Sequence, residues 1–174
     1  MDNTIIDKIY SDYSDLLNYL EVRREISLMS DADNNFKKVL LLSIASFFEH
    51  EITQILLEFI DKRSNNNPQI YSFTKRKAID RQYHTYFKWE IKKGANQFFS
   101  LFGDDFKKDI ENDLRSNHAL EKGVKDFLEL GSTRNELVHE NFANFTLDKT
   151  AKEIYELYKS AGIFIDYLSK KFLG

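Results

Sequence analysis

The residues best suited to chemistry lie in the run Gly131-Ser132-Thr133-Arg134-Asn135-Glu136-Leu137-Val138-His139. An arginine and a histidine stand five positions apart, with an asparagine directly after the arginine. A neutral imidazole can take the proton from a ribose 2′-hydroxyl, and its protonated form can return one to a 5′-oxygen leaving group. The ordinary imidazole pKa of about 6.5 keeps both forms accessible near neutrality. A guanidinium offers a fixed positive fork to the non-bridging phosphate oxygens as charge builds in the transition state. Such a pair could cleave RNA without a metal, leaving a 2′,3′-cyclic phosphate and a 5′-hydroxyl.

The elements around this run decide how the pair is held. Gly131 reads as the C′ stop of a helix opened near Asn117, and Thr133-x-x-Glu136 matches a capping box that starts the next helix. Arg134 is then a first helical residue, beside free N–H groups that favour phosphate. Five residues at about 100° each leave Arg134 and His139 roughly 140° apart on a helix. They therefore flank a cleft or meet a symmetry-related copy of themselves.

The rest of the chain reads as helices. Ile6, Ile9, Tyr13, Leu16 and Leu20 step by 3 and 4 along a first helix, about 4 to 29, for which Asp2 or Asn3 is the expected cap. The run Ser30 to Asn35 is rich in turn formers and is expected to separate it from a second helix, about 35 to 62. That second helix is the most apolar part of the chain. Its stripe of Leu41, Ile44, Phe48, Ile52, Ile55 and Phe59 marks it as central, with Ser43, Ala45 and Ser46 letting a neighbour approach. Glu49, His50 and Glu51 interrupt it, as solvated positions or with one of them facing a site. Ser64 to Pro68 ends it.

Residues about 68 to 102 differ in composition and read as an insert. Between Ile70 and Lys93 there are seven basic side chains (Lys75, Arg76, Lys77, Arg81, Lys88, Lys92 and Lys93) against two acidic ones, Asp80 and Glu90. The segment carries +5, so the remainder of a chain of net charge −3 carries −8. Tyr71, Phe73, Tyr83, Tyr86, Phe87 and Trp89 are interleaved with these charges. Cations that neutralise phosphates beside rings that stack on bases are what single-strand binding uses, and Lys75, Arg76, Lys77, Arg81, Lys88 and Trp89 are the candidate RNA contacts. The alternative is a short helical insert whose rings are core. Short helices are expected at 76 to 92 and 94 to 102.

Downstream, Phe106, Ile110 and Leu114 recur every four residues after a break at Gly103 to Asp105. Leu120, Val124, Phe127 and Leu128 then share the face of the next helix. The last helix, about 147 to 172 with Thr146 as its cap, carries a seven-residue repeat: Leu147, Ala151, Ile154, Tyr158, Ala161, Ile165, Leu168 and Phe172. This seam suits packing within the chain or across a dimer, the former being favoured.

Composition narrows the classes. One proline and six glycines suit long helices better than a many-turned β fold. Without cysteine, thiol catalysis, disulfides and Cys-ligated metals are excluded. His50, His84 and His118 share no metal-ligand spacing, and no cofactor is expected. The N-terminus shows no signal peptide, and no run of 18 apolar residues occurs, so the expected location is cytoplasmic without a membrane span.

Arg134 to His139 resembles the Arg-x(4–6)-His signature of HEPN domains, in the form where asparagine follows arginine. The helical order, with Ala45-Ser46-Phe47-Phe48-Glu49 in a long second helix and a long helix after the motif, is most similar to stand-alone bacterial HEPN proteins of the RiboL-PSP or MAE type. The resemblance implies an all-α, HEPN-like bundle spanning residues 1–174, with the insert lying outside the family core. It implies a homodimer whose facing motifs form a metal-independent ribonuclease site, with Arg134 and His139 catalytic and Asn135 orienting or contacting the phosphate. It also implies a toxin–antitoxin or phage-defence setting, with RNA as substrate and a cognate antitoxin or defence protein as partner. Some HEPN proteins instead serve as binding modules for RNA, a nucleotide or a protein, and that is the alternative reading.

Overall fold

The computed structural model describes residues 3–65, 67–89, 94–140 and 142–174, and these form helices joined by turns and short loops, with no strand among them. The helices are α1 (Ile5–Val22), α2 (Ile26–Arg63), α3 (Pro68–Thr74), α4 (Tyr83–Tyr86), α5 (Asn96–Ser100), α6 (Asp104–Ser116), α7 (His118–His139) and α8 (Ala151–Leu173). A π-helical turn, Lys75–Ile79, continues α3.

The core forms where α2, α7 and α8 meet, because each brings an apolar stripe at helical spacing. All eight seam residues from Leu147 to Phe172 are buried within the chain. Rings fill the centre: Phe48 lies 5.7 Å from Phe127 and 5.5 Å from Tyr158, and Phe127 lies 5.3 Å from Phe164, centroid to centroid. α7 and α8 approach closely at Gly123, where a Cβ would stand 2.8 Å from the Ser160 carbonyl oxygen. α2 is long and apolar enough to cross a bilayer by length and composition. Its buried residues, from Lys38 to Leu56, are instead those of a central bundle helix.

Several expected boundaries move, each for a local reason. α1 is capped by Thr4, in a reciprocal capping box with Asp7, rather than by Asn3; Asp2 lies outside the described residues. It ends at Val22, not near residue 29, and the chain turns through Arg24, held at φ +59°. The expected separator Ser30 to Asn35 is helical. Tyr13 stacks on Phe36 at 3.5 Å and donates its hydroxyl to Asp33, while Asn35 donates to the Asp31 carbonyl at 3.0 Å, so packing against α1 overrides the turn preference of these residues. The α1 stripe also drifts: Leu16 is exposed and Leu17 packs in its place. Pro68 opens α3 behind an Asn67 cap, and Asn66 lies outside the described residues. α8 starts later than expected, capped by Thr150 with Glu153 rather than by Thr146.

The insert departs most from its expected form. In place of two helices at 76 to 92 and 94 to 102 it has α3, the π turn, α4, an extended segment through Phe87 to Trp89, and α5. Its rings explain this. Tyr86 and Phe87 are buried and lie 5.6 and 4.9 Å from Phe98, so they belong to the core and are not free to stack on bases. Tyr86 also donates its hydroxyl to the Ala78 carbonyl at 2.5 Å, serving an acceptor within the π turn. Lys92 and Lys93 lie outside the described residues.

Candidate active site

α7 runs unbroken through Gly131 to His139, so the expected helix stop and restart are absent. Gly131 serves a different purpose. A Cβ there would fall well inside contact distance of the Trp89 ring, so glycine is what lets the indole lie against the helix. Thr133 does not cap either; its hydroxyl donates to the Glu129 carbonyl one turn back at 2.9 Å. The motif occupies the last two turns of α7, where the helix terminus presents carbonyls rather than N–H groups. A phosphate here must be met by side chains.

Continuous helix keeps Arg134 and His139 about 140° apart, and they open into different depressions. Arg134, half-buried, lines a cavity of about 320 Å³ with Glu49 from α2, and Arg81, Tyr83, His84 and Trp89 from the insert. His139, exposed, lines a more open depression with Ser132, Asn135, Glu136 and Trp89. The Trp89 ring is the wall common to both. Asn135 joins them chemically, since its Oδ1 accepts from Arg134 Nη1 at 3.1 Å while its side chain lines the histidine side.

Two further groups shape the site. Burial pushes the Tyr83 hydroxyl up from its ordinary pKa, the Glu49 carboxylate adds to this, and Arg134 opposes it. Tyr83 thus stays a neutral hydroxyl in a cavity that both charges line. Lys38, a buried lysine on α2, donates to the Phe142 carbonyl at 2.8 Å and lies 5.1 Å from the Phe142 ring centroid. It ties down the chain three residues after His139.

The candidate RNA contacts separate. Arg81 and Trp89 line the Arg134 cavity. Lys77 lines a second, more apolar groove with Phe59, Ile79 and Phe102, and Lys88 lines a third depression with Gln97 and Lys107. Arg76 is exposed and Lys75 half-exposed on the π turn. Trp89 has ring neighbours at 5.2 Å (Phe87) and 5.8 Å (Phe127 and Tyr83), so it is a packed wall as well as a surface.

In the sequence Glu49 stands out only as one of three polar interruptions, and nothing there assigns His84, Tyr83 or Lys38 to the site. Glu49 directly follows the buried Phe48, a polar group beside a core stripe, and that was its signal. His84 and Tyr83 reach the cavity only because the π turn and a left-handed Arg81 at φ +63° redirect the chain. Among the described residues no three His, Asp or Glu side chains converge as a metal site requires.

Comparison with curated proteins and with solved structures finds no match. The family described as RiboL-PSP-HEPN matches residues 7–174, nearly the whole chain, and the chain belongs to that family.

Proposed function

We propose that this protein is a metal-independent endoribonuclease whose site is completed by a second copy of the chain. The observation that carries the reading is the placement of Arg134 and His139 on opposite sides of Trp89, in two neighbouring depressions, at the end of one helix. Neither side alone offers both phosphate binding and proton transfer from the motif. A facing copy supplies a second histidine and a second arginine to one scissile phosphate. Exposed Val138 and Phe142, at 52% and 42%, flank His139 and would be covered by such a copy.

In the reaction, the ribose 2′-oxygen attacks phosphorus as its proton passes to one imidazole. The P–O5′ bond breaks, and the leaving oxygen takes a proton from the facing imidazolium. Arg134 binds the non-bridging oxygens as their charge rises, and Asn135 holds the guanidinium in position. A toxin or phage-defence effector, held in check by a cognate partner protein, is the biological role this chemistry suits.

The test is cleavage of RNA by purified protein in EDTA, with products ending in 2′,3′-cyclic phosphate. His139→Ala is expected to fold normally and lose at least about a hundredfold in rate, and Arg134→Lys to lose a comparable factor. Specific activity should rise with protein concentration in step with dimer formation. Full activity in His139→Ala, with loss in His84→Ala, would instead assign proton transfer to the histidine that shares the Arg134 cavity. RNA binding without cleavage would favour a binding module.

A further inference from the structure

The Arg134 cavity holds more than phosphate binding requires. Glu49 brings a carboxylate to a place where an RNA backbone would be repelled. It makes no hydrogen bond or ion pair among the described residues, although Arg81 and Arg134 line the same cavity. Opposite charges that share a cavity of about 320 Å³ without touching leave room for a ligand between them. This volume is at the lower end of the range for small-molecule sites, about 300–1,000 Å³. The rings of Tyr83 and Trp89, 5.8 Å apart and tilted by 49°, form part of the wall, so a flat heterocycle entering it meets π surfaces.

We propose that this cavity binds a guanine base, with Glu49 accepting from its N1–H and N2 amino group and the Arg81 fork donating to O6 and N7. Among the four bases, guanine alone places two adjacent donors on one edge. Adenine and cytosine set an acceptor lone pair beside their amino group, and uracil sets its N–H between two carbonyls, each of which repels a carboxylate. An arginine fork matches the O6/N7 pair of guanine. Arg81 is held for this in a left-handed conformation, φ +63°, one residue after the π turn and its Asp80 cap. Such conformations persist where surrounding structure enforces them, often at binding sites. Resting on the ribonuclease reading, this makes guanine the base beside the scissile phosphate, because Arg134 lines the same cavity.

Trp89 is the only tryptophan in the chain and part of the cavity wall, so its fluorescence reports occupancy directly. The four nucleoside monophosphates, and short oligonucleotides with and without guanine, are titrated into His139→Ala protein. Guanosine monophosphate should quench at about ten- to hundredfold lower concentration than the others. Inosine monophosphate, which lacks the N2 amino group, should bind about five- to tenfold more weakly than guanosine monophosphate. Glu49→Gln, a change at an exposed helical position, should abolish the preference, and inosine tests the same contact without altering the protein. Stronger quenching by guanine-containing oligonucleotides than by the free nucleotide identifies RNA as the source; the reverse identifies a free guanine nucleotide and overturns the placement beside the scissile phosphate. Equal binding of all four nucleotides, or of none, overturns the site. Because none of these titrations needs cleavage, selective binding by an inactive wild-type protein would sink the nuclease reading and leave the guanine pocket standing.

Discussion

A methyl group added at Gly131 would collide with the Trp89 ring, which is itself wedged against Tyr83, Phe87 and Phe127. Two effects then compete. Alanine favours helix over glycine by about 1 kcal/mol, whereas overpacking of this kind costs about 1–3 kcal/mol. The ring has close neighbours on several sides, so the collision should win and Gly131→Ala should lower stability in urea or thermal unfolding. In a Trp89→Ala background the same substitution should raise it, by up to about 1 kcal/mol. A loss in both backgrounds would mean that Gly131 is required for something other than the indole. Because Trp89 lines both the Arg134 cavity and the His139 depression, Gly131 also sets how closely their shared wall lies against α7.

At the scale of elements, the spacing of apolar residues was enough to find α6, α8, the central part of α2 and the first half of α7, with the faces they bury. The α8 seam is buried from end to end, and Asn117 caps α7 through a 3.1 Å bond from the Leu120 N–H. Turn chemistry was the poorer guide, because it is decided by contacts far along the chain. Ser30 to Asn35 has turn composition yet is helical once Tyr13 covers it, and Gly131 has the look of a stop yet accommodates a ring from 42 positions earlier. Conversely, the corner at Arg23 to Glu25 contains no glycine, proline or asparagine to announce it. Arg134 and His139 were legible as local spacing, whereas the cavity that Arg134 enters is assembled by α2, the insert and α7 and could not be read from any one segment.

The π turn has its own consequence for binding. Lys75, Arg76 and Lys77 are exposed or half-exposed along it, and Lys77 reaches a groove separate from the Arg134 cavity. If these three meet phosphates, neutralising them should reduce the slope of log affinity against log salt by about 2, at roughly 0.7 per phosphate for a single strand. The identity of the cleaved bond should not change. An unaltered slope, measured by fluorescence anisotropy with a labelled oligonucleotide, would exclude the π turn from the RNA path.

For the molecule as a whole, two carboxylates tie α1 and α6 to α8. Asp7 on α1 works against the cost of burial with hydrogen bonds from Tyr155 and Thr4, and these hold its carboxyl below the usual range. Asp113 on α6 is held low by Tyr167 and then Lys171. Folded pKa values below the unfolded ones give stability that is complete above about pH 4 and is lost as pH falls through the depressed folded values. On the alkaline side the Tyr155 hydroxyl is pushed up to about 12, by burial and then by its bond to Asp7. That contribution is complete below about pH 10 and is lost as pH rises towards the folded value. Urea midpoints should therefore be flat between these limits and fall at both ends. Replacing Asp7 with asparagine should flatten the acid limb, and an unchanged limb would remove Asp7 from this account.

α2 is 38 residues long, and the first of them to be buried is Lys38. The twelve residues before it, about 18 Å of helix at 1.5 Å each, turn exposed Ile26 and Leu28 outward and lie beyond the ring-filled centre. Stability along this one helix is therefore graded. Its first turns, before Asp33 and Phe36 are held by Tyr13, should open and reclose as a local unit at a fraction of the cost of global unfolding. Glu49 and the buried Lys38 sit on the part that stays closed.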